Sequence, residues 1–180
     1  MTELKLTDDF LAPPRAKSWG DAPRPYADIA RVDHWFKNAF MLLGVLIALF
    51  YRPELIALSS LPMLGLAVLA TCLICSSNYT INEWLDAPFD RLHPTKRMRP
   101  AALGLVRGPW VYAQYFTLAA VGLACGFAIN TAFGLTLLAL WVMGIVYNVQ
   151  PMRSKDIPYV DVLSESINNP LRLMLGWFAL

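Results

Sequence analysis

The feature that most constrains this chain is an apolar run over residues 55–85, which is long enough to cross a membrane and project beyond it. As a helix it extends about 46 Å, and the hydrocarbon core of a bilayer is about 30 Å thick. Four further apolar runs, at residues 35–51, 109–129, 132–149 and 157–180, predict four more spans. With 57% hydrophobic and 16% charged residues, the 180-residue chain is unlike a soluble domain, a disordered chain or a disulfide scaffold. The fold predicted is an all-α, polytopic transmembrane bundle.

Positive charge predicts how this bundle is oriented. Of the fifteen Lys and Arg, thirteen lie on one side of the predicted membrane and only Arg52 lies in a loop on the other. This bias predicts that the amino terminus and the loops around 86–107 and 151–156 are cytoplasmic, in a bacterial inner membrane. Residues 1–25 lack the apolar core of a signal peptide and are predicted to form a mobile cytoplasmic tail. The net charge of +2 does not suggest a nucleic-acid partner.

Oxygen ligands are concentrated at the cytoplasmic end of the second span. Asn78, Asn82, Asp86 and Asp90 recur every four residues, which keeps them on one slowly drifting helix face. Pro88 is expected to loosen the helix, so that Asp90 lies on the following turn. Carboxylate and amide oxygens suit Mg²⁺, and the cations that follow suit phosphate. The arrangement predicts a Mg²⁺-diphosphate site, and the alternative is an ordinary helix end with solvated charges.

A second polar stripe runs along the fifth span. Asp161, Glu165, Asn168 and Arg172 share one helix face, which predicts a polar cavity open to the cytoplasm. Arg172 lies deep in this span, where a lipid-facing arginine costs about 2.5–3.5 kcal/mol on insertion scales. We therefore expect it to point inward and to contact Glu165, Asp161 or an acid of the second span, and a purely structural salt bridge remains an alternative. The C-x-x-C sequence at residues 72–75 is interpreted as a packed helix face rather than as a redox or metal site.

Several of these residues together resemble a known family. The run Asn82-Glu83-Trp84-Leu85-Asp86-Ala87-Pro88-Phe89-Asp90 resembles the N-D-x-x-D-x-x-x-D motif of UbiA-type intramembrane prenyltransferases, with Glu83 in place of the usual Asp. The following run, His93-Pro94-Thr95-Lys96-Arg97-Met98-Arg99-Pro100, is similar to the decaprenyl-phosphate phosphoribosyltransferase-like branch. Matches to the spaced family pattern elsewhere are Arg31, the segment 35–38, Gly104, Tyr147, Lys155, Asp161, Arg172 and Gly176. The resemblance covers residues 26–180.

The resemblance implies a helical bundle around a central cavity and a set of site residues. The implied Mg²⁺ ligands are Asn82, Glu83, Asp86 and Asp90, and the implied catalytic residues are Asp86, Asp90, Lys96 and Arg97. The implied substrate-binding residues are Arg31, Lys37, Asn78, Arg99, Tyr147, Lys155, Asp161 and Arg172. The implied reaction is displacement of diphosphate from a prenyl diphosphate by an acceptor, and the alternative is phosphoribosyl transfer from phosphoribosyl diphosphate to a polyprenyl phosphate.

The resemblance also implies segments that this sequence does not contain. Family members have about nine spans and a second aspartate-rich motif, whereas residues 26–180 resemble the amino-terminal part alone. A missing carboxy-terminal half, a second polypeptide or a degenerate remnant are the three explanations. From another functional class, the same polar stripes are compatible with a transporter fragment or a non-catalytic membrane subunit. The dense cluster of cations beside the acids favours the transferase over a cation path.

Overall fold

The computed structural model describes residues 23–180, in which six α-helices are joined by turns and no strand occurs. The helices are α1 (Arg24–Ile29), α2 (Ala39–Tyr51), α3 (Leu61–Asp90), α4 (Gly108–Ile129), α5 (Thr131–Asn148) and α6 (Val160–Phe178). The predicted all-α bundle is confirmed. The predicted tail at 1–25 lies outside the described residues except for its last three positions, where α1 already begins.

Four stretches of the described chain are long and apolar enough to span a membrane, instead of the five predicted. They are Arg24–Tyr51, Leu58–Asp90, Gly108–Ile129 and Thr131–Asn148. The fifth predicted span does form a helix, α6, but it is not among the four. Its apolar residues are interrupted by Asp161, Glu165 and Arg172, so that polar groups replace the lipid-compatible side chains on one face. The chain is an integral, multi-pass membrane protein.

The helix ends follow local sequence signals with one exception. Asn130 caps α5, because its Oδ1 accepts a hydrogen bond of 2.8 Å from the amide of Phe133. Pro109 lies in the first turn of α4, where its missing N–H costs nothing. The expected loosening at Pro88 is wrong, since α3 continues to Asp90. Pro88 removes one donor near the helix end, and the next turn is still closed by a bond of 3.2 Å from Arg91 N to Ala87 O.

Small residues allow the helices to approach one another closely. A Cβ added at Gly44 would collide with the backbone of Leu173, and one added at Gly176 would collide with the backbone of Met41. Helices α2 and α6 therefore cross in backbone contact, as is common in membranes. The main core around this crossing and along α3 contains Met41, Ala67, Ala70, Ile74, Ala119, Phe133, Leu137 and Leu175.

A second, smaller core fixes the cationic loop between α3 and α4. Ala101 and Val106 of this loop pack with Ile29, Ala87 and Val111. Because these side chains come from α1, the end of α3 and the start of α4, the loop is packed against the end of α3. This packing positions the charged residues described next.

Candidate functional site

A polar cavity of about 480 Å³ opens between α3, α5 and α6. Five asparagines contribute to its wall: Asn78, Asn82, Asn148, Asn168 and Asn169. Gly144 leaves the space that the amide of Asn78 occupies, since a Cβ at this glycine would overlap it. Asn78 donates to the carbonyl of Leu140 at 3.1 Å, whereas its buried Oδ1 has no partner in the described part of the chain. The cavity wall therefore offers hydrogen-bonding groups as well as apolar surface.

Asp86 lies where α3 meets the loop between α5 and α6. Its Oδ1 accepts hydrogen bonds from Arg153 at 2.9 Å and from Lys155 at 2.6 Å. No hydrogen bond from a described residue reaches its Oδ2, and the side chain is 20% exposed. One carboxylate thus faces two cations and keeps one oxygen accessible.

Lys155 connects this acid to the cavity wall. Its Nζ donates to Asn82 Oδ1 at 2.8 Å and to Asn148 Oδ1 at 2.9 Å, in addition to Asp86. Burial lowers the pKa of Lys155 below its ordinary value, and the hydrogen bond and charge of Asp86 oppose that shift. The ammonium is therefore surrounded by three oxygens, one of them charged.

Tyr147 and Asp161 adjoin the same group. The hydroxyl of Tyr147 donates to Asp161 Oδ1 at 2.8 Å, and the ammonium of Lys155 lies 5.8 Å from the centre of the Tyr147 ring. The structure thus brings together five residues of the sequence-predicted set, namely Asn82, Asp86, Tyr147, Lys155 and Asp161.

Glu83 and Asp90 are bound to other cations. Buried Glu83 accepts from Arg31 at 3.4 Å and from the amide of Ala101 at 3.5 Å, so that both of its oxygens have partners. Asp90 is buried and pairs with Arg99 at 2.7 Å. Asp86 and Asp90 lie one turn apart on α3 and have different cation partners. At 100° per residue, Asp90 is about 120° around the helix from Asn78, which lines the cavity.

Lys96 and Arg97 lie outside the cavity wall. They occupy a short 3-10 turn, Lys96–Met98, and are exposed. The structure places them in the same loop as Arg99, which is fixed by Asp90.

The opposite end of the cavity is lined by Lys37 and Arg172. Arg172 donates from Nε to Asn38 Oδ1 at 3.2 Å and from a terminal nitrogen to Asn169 Oδ1 at 3.4 Å. The expected carboxylate partner is wrong, because no acid of the described chain lies within 4.0 Å of this guanidinium. Glu165 lines the same cavity without pairing with it. The neutral amide of Asn38 satisfies Arg172 instead.

The C-x-x-C sequence packs as one face of α3 beside the same amide. Asn38 donates to the sulfur of Cys72 at 3.2 Å, and Cys75 donates to Asn38 Oδ1 at 3.3 Å. Both thiols are free and buried.

The donor chemistry at Asp86 fits a hard divalent cation. Asn82, Asp86 and Asn148 already hold a cationic group through three oxygens at 2.6–2.9 Å. Within residues 23–180, no group of three or more His, Cys, Asp or Glu side chains is arranged to hold a metal. The fit therefore depends on amide oxygens and one carboxylate, with substrate phosphates completing the shell, as is usual for Mg²⁺.

Sequence reasoning missed two residues of this region. Arg153 is one of the loop cations that set the charge bias, yet it binds Asp86 across 67 positions of sequence. Asn148 resembles an ordinary helix-end residue, whereas Asn38 belongs to the segment 35–38 that matches the family pattern. The one available signal was that Asn148 directly follows Tyr147 at the end of a predicted span.

Comparison with known proteins identifies the fold and the family. The model of the UbiA prenyltransferase family matches residues 39–180. Nodulation protein NoeC of Azorhizobium caulinodans is 35% identical over 115 residues, which are 60% of this chain and 36% of that protein. Decaprenyl-phosphate phosphoribosyltransferase of Corynebacterium glutamicum is 29% identical over 156 residues, which are 83% of this chain and 44% of that protein.

Among solved structures, a UbiA homolog from Archaeoglobus fulgidus bound to DMAPP and Mg²⁺ superposes with a TM-score of 0.71 at 25% identity. The match covers 84% of this chain and 53% of that one. The chain spans about a third to a half of the length of the relatives it matches. Since the family match includes α2 to α6, the chain belongs to the UbiA prenyltransferase family.

Proposed function

We propose that this protein is a membrane-embedded transferase whose donor loses diphosphate, with Asp86 and the cations around it at the reaction centre. The observation that carries the proposal is the junction of Asn82, Asp86, Arg153 and Lys155 beside a polar cavity between membrane-spanning helices. A diphosphate leaving group gains negative charge as its bond breaks, and fixed cations stabilise that charge. A transporter with a path for cations would need acidic side chains without this excess of arginine and lysine.

The proposed metal is Mg²⁺, held by Asn82 and Asp86, and it would neutralise the diphosphate when bound. The accessible Oδ2 of Asp86 supports this assignment. Asp90 and Glu83 remain predicted ligands, and each would have to leave its arginine to take part. Lys155, Arg153 and the exposed pair Lys96 and Arg97 are proposed to bind the phosphate oxygens.

The donor that the cavity favours is a phosphoribosyl diphosphate over a prenyl diphosphate. Five asparagine side chains, together with Tyr79, Tyr147 and Ser166, line the cavity beside the apolar side chains of Leu140 and Val162. A sugar needs such hydrogen-bond partners, and an isoprenoid chain needs apolar walls. Several relatives are named decaprenyl-phosphate phosphoribosyltransferase, which supports this donor. The matched Archaeoglobus structures hold prenyl diphosphates, so the prenyl donor is the second candidate.

In the favoured reaction, a phosphate oxygen of a polyprenyl phosphate bonds to C1 of the donor as the bond from C1 to diphosphate breaks. Lys37 and Arg172 at the far end of the cavity are proposed to bind a second anionic group of the substrates. Arg31 is proposed to support the loop end of the site, because its guanidinium bonds to Glu83 at 3.4 Å and lies 6.0 Å from the ring centre of Tyr79, a wall residue.

The proposed orientation in the membrane is supported by the same contacts. Lys155 bonds to Asp86, and Arg31 bonds to Glu83, so both loops and the segment before α2 lie at one end of the bundle. The positive-inside rule makes this end cytoplasmic.

The proposal is tested by transfer assays on the purified protein in lipid nanodiscs with Mg²⁺. Radiolabelled phosphoribosyl diphosphate and decaprenyl phosphate are expected to give a labelled lipid that partitions into organic solvent. A parallel assay uses labelled geranyl diphosphate with the same acceptor. Transfer from geranyl diphosphate alone would reverse the order of the two donors, and transfer from neither would contradict the proposed function.

A further inference from the structure

Lys155 occupies the position in this site that a metal ion would be expected to take. Its Nζ lies 2.6 Å from Asp86 Oδ1, 2.8 Å from Asn82 Oδ1 and 2.9 Å from Asn148 Oδ1. An ammonium has three N–H donors and no acceptor, so three oxygens satisfy it fully. The Lys155 side chain is 10% exposed, so most of it is shielded from solvent.

We propose that the Lys155 ammonium is a built-in occupant of a cation site formed by Asn82, Asp86 and Asn148, and that a divalent metal must displace it. Asn148 is then a third oxygen ligand of that site, a role that its sequence context does not suggest. The inference rests on the proposed function only in taking a divalent metal as the competitor.

Charge and distance require the competition. Mg²⁺ binds oxygen at about 2.0–2.1 Å, closer than an ammonium does, so the two cations cannot share these three oxygens. Arg153 donates to Oδ1 of Asp86 and also to Asp156 at 2.7 Å, so a metal added beside Lys155 and Arg153 would leave three positive groups against two carboxylates. Departure of Lys155 relieves this repulsion.

The backbone around Lys155 allows such a departure. Lys155 lies in a short 3-10 turn, Ser154–Asp156, between α5 and α6. By contrast, Asn82 and Asp86 are on the long helix α3, and Asn148 ends α5 and is anchored by a bond of 2.9 Å to the carbonyl of Gly144. The three oxygens are therefore fixed while the lysine is held by a flexible stem.

The consequence is that metal binding depends on the anion. Without diphosphate, a displaced Lys155 would lose all three acceptors, so the metal binds weakly. With diphosphate present, phosphate oxygens replace those acceptors and the metal binds well. The site is thus built to favour metal and diphosphate together over metal alone.

Mn²⁺ binding to the full chain in nanodiscs tests the proposed competition. Binding is measured by the loss of the free-ion signal in electron paramagnetic resonance. We expect K155Q to bind Mn²⁺ at least tenfold more tightly than wild type when no diphosphate is present. Adding N148A to K155Q should weaken binding several-fold by removing the third oxygen. R24Q is the control, because it removes one positive charge from exposed Arg24, which lies outside the site, and it should bind like wild type. Inorganic pyrophosphate should reduce the difference between wild type and K155Q.

Wild-type protein supplies a second measurement that does not depend on a variant folding. Acetylation of Lys155 by acetic anhydride, measured by mass spectrometry against exposed Lys96 as internal reference, should rise several-fold when Mg²⁺ alone is saturating. Equal Mn²⁺ affinities of wild type and K155Q, or unchanged acetylation, would overturn the inference and leave the proposed transfer reaction intact. Failure of both proteins to bind Mn²⁺ even with pyrophosphate would instead overturn the metal assignment and this inference with it.

Discussion

Replacement of Gly176 by alanine tests whether backbone contact between α2 and α6 holds the cavity together. A Cβ at this position would lie 2.8 Å from Val45 N and 2.9 Å from the Cα of Gly44, and closer still to the carbonyl oxygen of Met41. Ordinary contact begins near 3.4 Å, so Val45 N alone requires the helices to separate by about 0.6 Å, and the closer Met41 oxygen requires a larger separation. Gaps of about 0.5–1 Å already remove a quarter to a half of the dispersion attraction across an interface.

The magnitude follows from two opposing effects. Overpacking of this kind costs about 3 kcal/mol, the upper end of the usual range, because the obstacle is backbone and cannot rotate away. Alanine is favoured over glycine within a helix by about 1 kcal/mol. The net loss in the free energy of unfolding is about 2 kcal/mol, which lowers Tm by about 4–8 °C for a chain of this size.

Thermal unfolding in detergent, monitored by circular dichroism, measures the effect. G65A is the matched control, because Gly65 also lies within a helix but an added Cβ meets nothing within 4 Å. This control should melt about 2–4 °C above wild type through helix propensity alone. If G176A melts at or above the wild-type temperature, the close crossing is not rigid and the reasoning is refuted.

Three further predictions address the site and the topology. D86N should lower transfer at least about 100-fold through loss of charge at the reaction centre, whereas E54Q, at an exposed acid after α2, should stay close to wild type; equal losses would contradict the assignment. R172L should reduce the free energy of substrate binding more than it reduces the free energy of unfolding. R172K should restore affinity only in part, because a point charge lacks the guanidinium fork. Unchanged affinity would make Arg172 a packing residue. Cysteines placed at Met98 and Met152 should react in intact cells only with a membrane-permeant reagent, while a cysteine at exposed Leu58 should react with an impermeant one; the reverse pattern would invert the topology.

Helix positions were predictable because apolar runs and prolines determine them locally. The third span is predicted at 109–129, and its helix begins one residue earlier, as Gly108–Ile129. The fourth is predicted at 132–149, and its helix begins and ends one residue earlier, as Thr131–Asn148. The fifth span is harder to predict, because the length of its apolar run indicates a membrane span whereas its polar stripe argues against one. Its helix forms because one face packs on α2 through Gly44 and Gly176, which is a tertiary effect that a count of apolar residues does not include.

The partners of the charged residues were not predictable in the same way. Helical periodicity places Asn82 and Asp86 on neighbouring turns, but it does not state which cation will meet them. That choice depends on how the loops fold. Arg153 and Lys155 contact Asp86 because α5 and α6 pack beside α3. Arg99 contacts Asp90 because the loop between α3 and α4 packs against the end of α3. Acids that are regularly spaced in the sequence of α3 therefore form separate ion pairs in the structure.

The separation of these pairs determines where uncompensated charge remains. Glu83, Asp86 and Asp90 are each neutralised by arginine or lysine at the loop end of the bundle. Within residues 23–180, Lys37 and Arg172 have no acid within 4.0 Å, and both line the cavity. Lys37 is exposed and Arg172 is partly exposed at that end, and Asn38 supplies only a neutral amide to Arg172. Glu165 lines the same cavity, so two cations and one acid face it. This excess of positive charge supports the proposal that Lys37 and Arg172 bind an anionic substrate group at a distance from Asp86.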